Sequence, residues 1–223
     1  MTSMLLFLIV PMLICLYAQM RVKSTFARMS EVPTSMTGAQ AARRMLDASG
    51  LYQVPIEMVP GELSDHYDPG AKVVRLSQAV YNDRSMSAVG VACHEVGHAL
   101  QDANAYAPLV VRNIAVPAAN FGGSLSSILV MLGLGMSLQQ FVWIGIALFT
   151  GVVFFQLVNL PVEFNASSRA KRQLVDLGII SASESPYVSK VLNAAALTYV
   201  AGTLQSIMTL VHYLLLAMGN REE

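Results

Sequence analysis

Charged residues are scarce in this chain of 223 residues, of which only 13% are Asp, Glu, Lys or Arg. A soluble globular domain carries roughly 25%, and 54% of this sequence is hydrophobic. The composition therefore argues against an ordinary soluble protein and indicates contact with lipid. Acidic and basic residues balance at 14 each. Because no basic excess is present to attract a phosphate backbone, nucleic-acid binding is not expected.

Cysteine is nearly absent as well, with only two residues in the chain. Cys15 lies in an apolar run and Cys93 in a predicted helix, so the pair does not indicate a disulfide framework. Cys93 precedes a histidine, but on a helix its side chain projects about 100° away from that neighbour. We expect it to be a small buried residue.

Three runs lack charge almost entirely: residues 1–20, residues 113–162, and residues 191–220 apart from His212. A helix needs about 20 mainly apolar residues to cross a bilayer, so these runs fit one, two and one crossings. We predict a four-helix transmembrane bundle, with a turn at 135–139 between its second and third helices. The predicted spans are 3–20, 114–136, 140–161 and 193–217.

The basic residues predict an orientation. Nine lie in 21–112 and four in 163–190, so 13 of the 14 fall in two segments that four crossings place on one side. The positive-inside rule assigns both segments to the cytoplasm. The first apolar run lacks the basic start and small-residue cleavage site of a signal peptide, so we interpret it as a retained anchor. The whole of 1–223 is interpreted as one membrane-embedded domain.

The first cytoplasmic segment has the pattern of a small α+β domain. Thr37 can cap a helix that ends near Gly50. Turn residues at 67–70 precede a β-branched run at 72–77, which predicts a strand. A second helix is expected to begin near Asp83 or Ser85. Its buried stripe should consist of Met86, Val89, Cys93, Val96 and Leu100.

The second helix contains His94-Glu95-Val96-Gly97-His98, the H-E-x-x-H pattern. Residues four apart lie on one helix face, so His94 and His98 can bind one zinc ion. Glu95 is rotated beside the metal and suits a general base that takes a proton from metal-bound water. Random placement of four His and eight Glu in this chain would give about 0.003 such matches. The alternative is a structural helix with solvated histidines.

Catalytic zinc commonly has three protein ligands, and His₂Glu is one standard set. No further histidine follows His98 closely, so the third ligand should be a carboxylate downstream. Glu163 is the candidate, because it ends the long charge-free run at the predicted cytoplasmic mouth of the third transmembrane helix. Its alternative role is an interfacial carboxylate paired with Arg169 or Arg172. The next candidates for the third ligand are Glu62, Asp65, His66 and Asp102.

Several short motifs together resemble a known family, the neutral zinc metallopeptidases of bacterial membranes, or YugP-like proteins. The motifs extend over nearly the whole chain. They are Met36-Thr-Gly-Ala-Gln40, Asp65-His-Tyr-Asp-Pro69, Val73-Val-Arg-Leu-Ser77, His94-Glu-Val-Gly-His-Ala99, Leu160-Pro-Val-Glu-Phe-Asn-Ala166 and Leu192-Asn-Ala-Ala-Ala-Leu-Thr-Tyr199. More distantly, the motif order is similar to that of HtpX and the CAAX prenyl proteases.

The resemblance implies a small zincin-like catalytic domain of gluzincin type beside the membrane bundle, with Zn²⁺ bound by His94, His98 and Glu163. It also implies location in the bacterial inner membrane. The distant relatives usually have an Asp four residues after the ligand Glu, where this chain has Ser167. The carboxylate that would orient a metal-bound imidazole is thus expected elsewhere or is absent.

These observations favour a membrane-bound zinc endopeptidase that acts on protein or peptide substrates at the cytoplasmic face of the bilayer. The alternatives are a membrane scaffold with a structural zinc site and a zinc amidohydrolase. A homo-oligomer or a membrane-protein partner stays open. His66 and Tyr199 are candidates for stabilising an oxyanion. We also expect the strand at 72–77 to be an edge strand beside the zinc, to which an extended peptide can add.

The orientation predicts the behaviour of topology reporters. A reporter fused after Arg44 should be active in the cytoplasm, and one fused after the last residue should be active on the outside, because the basic segments stay inside. Reporter activity measured in intact cells checks this. The reverse pattern would overturn the orientation.

Overall fold

The computed structural model describes residues 2–219, with side chains from residue 7 on except at position 118. This part of the chain is mainly helical and contains one small sheet. The helices are α1 (Thr2–Ser30), α2 (Gly38–Ala48), α3 (Gln78–Asn82), α4 (Met86–Ala103), α5 (Ala107–Gly135), α6 (Gln139–Asp176) and α7 (Ser185–Gly219). The strands are β1 (Ile56–Val59), β2 (His66–Asp68) and β3 (Val73–Ser77).

Three helices are long and apolar enough to cross a membrane: Phe7–Ser30 of α1, α6 and α7. The fourth predicted span falls on α5, which bends by 44° between Ala107–Pro117 and Ala119–Gly135. Proline removes a backbone donor and crowds the preceding turn, which accounts for a bend there. The structure therefore has three candidate spans, or four if the bent pair crosses as one.

The long helices extend beyond the predicted spans. α6 continues through Pro161 to Asp176, and α7 begins at Ser185, so most of the predicted segment 163–190 is helical. The turn predicted between the second and third spans is confirmed, because α5 ends at Gly135 and α6 begins at Gln139. Arg221, the one basic residue on the predicted outer side, lies outside the described residues.

The chain divides into two compact units. The first comprises residues up to 18, residues 107–161 and residues from 198 on. Val130, Val142, Ile146 and Ala217 form an apolar cluster within it. The Tyr213 hydroxyl lies 3.0 Å from the Ser127 hydroxyl, so polar contacts also join its helices.

The second unit comprises residues 19–106 and 162–197 and contains every residue of the sheet. Its core is a single cluster of buried apolar side chains from α2, β3, α4 and the adjoining parts of α6 and α7. The predicted stripe of α4 is confirmed, since all five of its members are buried: Met86, Val89, Cys93, Val96 and Leu100.

Both predicted helix starts in this unit are confirmed. Thr37 caps α2 through a reciprocal capping box with Gln40, and Gly50 follows the helix with a φ of 76° that suits glycine. Ser85 caps α4, accepting a hydrogen bond from the Ala88 N–H at 3.3 Å. Local side-chain chemistry thus sets where the helices begin.

The sheet has the strand order β1-β3-β2, so β3 is its central strand. β1 pairs with β3 in parallel, and β2 pairs with it in antiparallel orientation. The expectation that residues 72–77 form an edge strand is therefore wrong. The short run at 56–59 was not identified as a strand, yet it pairs with one side of β3, while β2 pairs with the other. The free edges belong to β1 and β2.

Candidate metal centre

α4 presents three functional side chains where the H-E-x-x-H pattern lies. His94 and His98 have ring centroids 4.8 Å apart and nearly perpendicular rings, as expected for residues one turn apart. Their side chains are only 12% and 13% exposed. Cys93 is fully buried in the core on another side of the helix, which confirms its prediction as a small buried residue.

α6 brings Glu163 to the same point from 65 residues away in sequence. Glu163 Oε2 lies 3.2 Å from His94 Nε2 and 3.5 Å from His98 Nε2. Each of the three residues offers one ligand atom, and these atoms lie within 4.8 Å of one another. Among the described residues, this group of His, Cys, Asp or Glu side chains is the one that could hold a metal ion.

A glycine allows the two helices to approach so closely. A Cβ atom on Gly97 would lie 2.7 Å from the carbonyl oxygen of Ala166 and 3.0 Å from its Cα. Both atoms belong to the α6 backbone, which cannot yield as a flexible side chain could. Gly97 and Ala166 therefore set the distance between α4 and the stretch of α6 that carries Glu163.

Each imidazole has a polar partner on its other nitrogen. The Ser167 hydroxyl lies 3.1 Å from His94 Nδ1, one helical turn after Glu163. The Gln101 side-chain oxygen lies 2.9 Å from His98 Nδ1. In the absence of a metal, Nε2 is the atom that donates to the Glu163 carboxylate, since a carboxylate only accepts. When a metal binds, each Nδ1 can donate to these oxygens while Nε2 offers its lone pair to the metal.

Ser167 lies where the sequence has no orienting carboxylate. Its hydroxyl is at hydrogen-bond distance from a candidate ligand, His94. The contact is weaker than one from a carboxylate, because a hydroxyl carries no charge to raise the basicity of the ring. Among the described residues, His94 thus has a hydroxyl, and no carboxylate, beside Nδ1.

Gln101 was missed by the sequence reasoning. Its side chain is completely buried, and its amide nitrogen donates to the Val162 carbonyl at 2.7 Å and to Asn165 Oδ1 at 3.1 Å. Gln101 thus links His98 on α4 to α6 on both sides of Glu163. Its position three residues after His98, on the same helix face, is the signal that could have identified it.

Glu95 is 8% exposed and is held by the sheet. Its Oε2 accepts a hydrogen bond from the backbone N–H of Tyr67 at 3.0 Å. Tyr67 pairs with Val74 of β3, and the Val74 N–H donates to the Pro55 carbonyl, on the side of β3 that faces β1. In such a pair the two residues do not bond to each other, so the Tyr67 N–H points away from β3. The free edge of β2 therefore faces α4 at Glu95.

A second contact fixes β2 on α4. The Tyr67 hydroxyl donates to Asp102 at 2.7 Å, and Lys72 forms an ion pair with the same carboxylate. Glu95 and Asp102 are seven residues apart and share a helix face. Burial and the bond to Asp102 raise the pKa of Tyr67, so its hydroxyl stays protonated and donating.

The other candidates for the third ligand have different partners. Asp65 accepts hydrogen bonds from the backbone and hydroxyl of Ser77, at 2.7 and 3.0 Å from Oδ1. His66 is exposed, and its Nδ1 lies 2.8 Å from the Ser64 carbonyl. Asp102 holds Tyr67 and Lys72, and Glu62 is exposed outside the cluster. Tyr199 belongs to the first unit, whereas the cluster belongs to the second. The oxyanion-stabilising role of Tyr199 stays a prediction.

In the structure Glu163 does not pair with Arg169 or Arg172, the alternative that the sequence left open. Arg169 donates instead to Asn165 Oδ1 at 2.7 Å, and its guanidinium lies 6.0 Å from the centre of the Tyr106 ring. Among the described residues, the contacts of the Glu163 carboxylate are with the two imidazoles.

The chemistry of the donor set suits zinc. Two imidazoles and one carboxylate form a common zinc ligand set, and a carboxylate only 3% exposed needs a nearby positive charge. Burial favours the neutral form of His98, but the bond to Glu163 and the negative charges of Glu95 and Glu163 outweigh it and raise the pKa of His98. Protons therefore compete with a metal for His98 Nε2, the nitrogen that faces Glu163.

Candidate membrane spans and a buried His₂Glu cluster together are the features expected of a membrane protein with a metal centre. The family model described as "Putative neutral zinc metallopeptidase" matches residues 4–218. The chain is 49% identical over 209 residues to the "Putative membrane protease YugP" of Bacillus subtilis (strain 168), covering 93% of each sequence. No solved structure matches it. This chain belongs to the neutral zinc metallopeptidase family, whose metal is zinc.

The contact between Gly97 and Ala166 generates a prediction. Gly97→Ala should push α6 away from α4, lower the zinc content of the purified protein and destabilise it by about 1–3 kcal/mol, the usual cost of overpacking. Metal analysis and unfolding in denaturant measure the two effects.

Gly123→Ala is the matched control, because a Cβ atom there meets nothing within 4 Å. It should keep full zinc and gain up to about 1 kcal/mol from helix propensity. Equal zinc content in the two variants would show that the helix contact does not position the centre.

Proposed function

We propose that this protein is a membrane-bound zinc endopeptidase, in which His94, His98 and Glu163 hold the metal and Glu95 is the general base. The observation that carries the proposal is the meeting of three metal-ligating side chains at one buried point, next to a carboxylate that the β2 backbone holds in place. Membership of a zinc metallopeptidase family supports the same chemistry.

Zinc, when bound, supplies a Lewis acid that polarises the scissile carbonyl and lowers the pKa of water. The chain's own contribution begins with the tautomers of its two histidines. Ser167 and Gln101 lie at hydrogen-bond distance from the Nδ1 atoms and would accept from them once Nε2 binds a metal. Both rings are thereby held with Nε2 toward the cluster.

Glu95 moves the proton. Its Oε2 is engaged by the Tyr67 N–H, so Oε1 is the oxygen that takes a proton from the attacking water. The same oxygen then returns the proton to the amine that leaves when the peptide bond breaks. The bond to the β2 backbone keeps the carboxylate in reach during both transfers, which lowers the entropic cost of the reaction.

The arrangement supports a zincin-like catalytic domain of gluzincin type. The helix that carries H-E-x-x-H packs beside a small sheet, and the third ligand is a glutamate on a later helix. Here that later helix is also a candidate membrane span. We therefore place peptide hydrolysis close to the bilayer surface.

The distribution of basic residues supports a cytoplasmic active site in the bacterial inner membrane. The three candidate ligands, together with Ser167 and Gln101, belong to the second unit, which contains nearly all of the basic residues. The positive-inside rule assigns that unit to the cytoplasm. Substrates would accordingly be cytoplasmic proteins, or cytoplasmic segments of membrane proteins.

Replacing the base should separate catalysis from metal binding. Glu95→Gln keeps the shape and the bond to Tyr67 but removes the proton acceptor, so turnover should fall by roughly 10²–10⁴-fold while zinc stays near one per chain. Cleavage of an unstructured protein by the purified enzyme, together with metal analysis, measures both.

Glu62→Gln is the matched control, since Glu62 is exposed and lies outside the cluster. It should leave zinc and turnover unchanged. Undiminished cleavage by Glu95→Gln would refute the hydrolase mechanism and leave a scaffold with structural zinc. Cleavage of non-peptide amides without cleavage of peptides would favour an amidohydrolase.

Replacing the third ligand should have a different result. Glu163→Ala leaves two imidazoles, so zinc affinity should fall by more than the roughly 10–100-fold that loss of an outer partner costs, and activity should fall with it. Competition with a zinc chelator measures the affinity, and retention of full zinc would place the third ligand elsewhere.

A further inference from the structure

A cavity of about 540 Å³ lies between the second half of α1 and the first part of α7. Both stretches belong to the second unit. The volume falls within the roughly 300–1,000 Å³ of ligand pockets. The cavity does not include any residue of the metal centre, so the proposed hydrolysis leaves it without a role.

The charged residues that line the cavity are all basic. Arg21 and Arg28 line it from α1, and Lys190 and Asn193 line it from α7. Lys171 of α6 donates to Asn193 Oδ1 at 3.2 Å, which brings a fourth cation to its border. No carboxylate is among its lining residues.

Two of these cations have no carboxylate partner among the described residues. The guanidinium Nε of Arg28 donates to the Ser24 carbonyl at 3.2 Å, which leaves its other donors for a ligand. The ammonium of Lys190 lies 5.3 Å from the centre of the Tyr187 ring. The cavity thus combines a positive charge with hydrogen-bond donors that suit a phosphate group.

Apolar side chains also line the cavity, among them Leu197 of α7. The charge-free run of α1 ends at residue 20, and that of α7 begins at residue 191. The lining residues therefore lie where candidate membrane helices pass between apolar and charged sequence, with Leu197 inside a charge-free run and Arg28 outside one. A phosphate ester with an attached hydrocarbon chain matches both the basic and the apolar lining residues, whereas a free phosphate matches only the basic ones.

We infer that this cavity binds the headgroup of an anionic phospholipid. Arg28, Lys190 and Arg21 contact the phosphate, Asn193 contacts the polar headgroup, and Leu197, within the charge-free run of α7, contacts the beginning of the acyl chains. Basic pockets between membrane helices are a known way of recognising anionic lipids. The inference depends on α1 and α7 being membrane helices and does not depend on peptide hydrolysis.

Binding of short-chain lipids tests the inference without the general attraction of a charged bilayer. The purified full chain in neutral detergent is titrated with dioctanoyl phosphatidylglycerol, dioctanoyl phosphatidylcholine or inorganic phosphate, and binding is measured calorimetrically. Phosphatidylglycerol should bind at least about tenfold more tightly than either of the others, because it alone combines the anion with the hydrocarbon.

The double variant Arg28→Gln/Lys190→Gln should weaken phosphatidylglycerol binding by about 25-fold, at roughly fivefold for each basic residue. The matched control Lys23→Gln/Arg172→Gln removes the same charge from α1 and α6 but no residue of the cavity. It should weaken binding less than about threefold, since distant exposed charges are screened. Arg28→Lys/Lys190→Arg should retain binding, because it keeps both charges.

Equal losses in the two charge-removing variants would show diffuse attraction and overturn the site. Phosphate binding as tight as that of the lipid, or no preference between the two lipids, would overturn it as well. The preference of the unaltered protein decides the matter even where a variant does not fold. Zinc content is measured in parallel, and since the readout is lipid binding, failure here and failure of the proposed peptidase are distinguishable.

Discussion

The buried carboxylate of Glu163 is the constraint on which the rest of the second unit depends. A carboxylate this far from water is stable only with close partners that offset its charge. Its partners are two imidazoles on another helix, so α6 must lie against α4 at one particular height. The close contact at Gly97 satisfies that requirement, because any side chain there would meet the α6 backbone.

The polar network around the cluster follows from the same helix contact. Once α6 lies against α4, Ser167 reaches His94 and Gln101 reaches the α6 backbone at Val162. Ser167 of α6 thus orients His94 of α4, and Gln101 of α4 both orients His98 and binds α6. Because these partners also hold the orientation of the two rings, the contact that packs the two helices places both imidazoles for a metal. Packing and chemistry are therefore not separable here.

The sheet has a supporting function in this arrangement. β3 is buried at its centre, with β1 and β2 on either side, and β2 presents a free backbone edge to α4. That edge donates to Glu95, and the Tyr67 hydroxyl holds Asp102 two turns further along the same helix. The carboxylate of Glu95, the proposed general base, is thereby kept in one orientation by backbone geometry, which side-chain substitution cannot easily alter.

The sequence by itself determined the features that depend on local order. Apolar runs indicated the membrane helices, Thr37 and Ser85 set the helix starts, and the four-residue spacing of His94 and His98 required both rings to share a helix face. Glu163 could be proposed because it ends a long charge-free run. The helix starts and the shared helix face could be predicted because capping and helix periodicity act over a few residues, and the candidate spans because the thickness of a bilayer corresponds to about 20 residues.

Only the tertiary structure decided which distant groups meet. The strand at 73–77 is central because β1, four residues with weak sequence signals, pairs with it in parallel. Gln101 is part of the centre because α6 continues past Pro161 as one helix and offers it a carbonyl. Neither outcome is encoded in a local pattern, since strand pairing and helix approach depend on contacts between residues that are 18 or 61 positions apart.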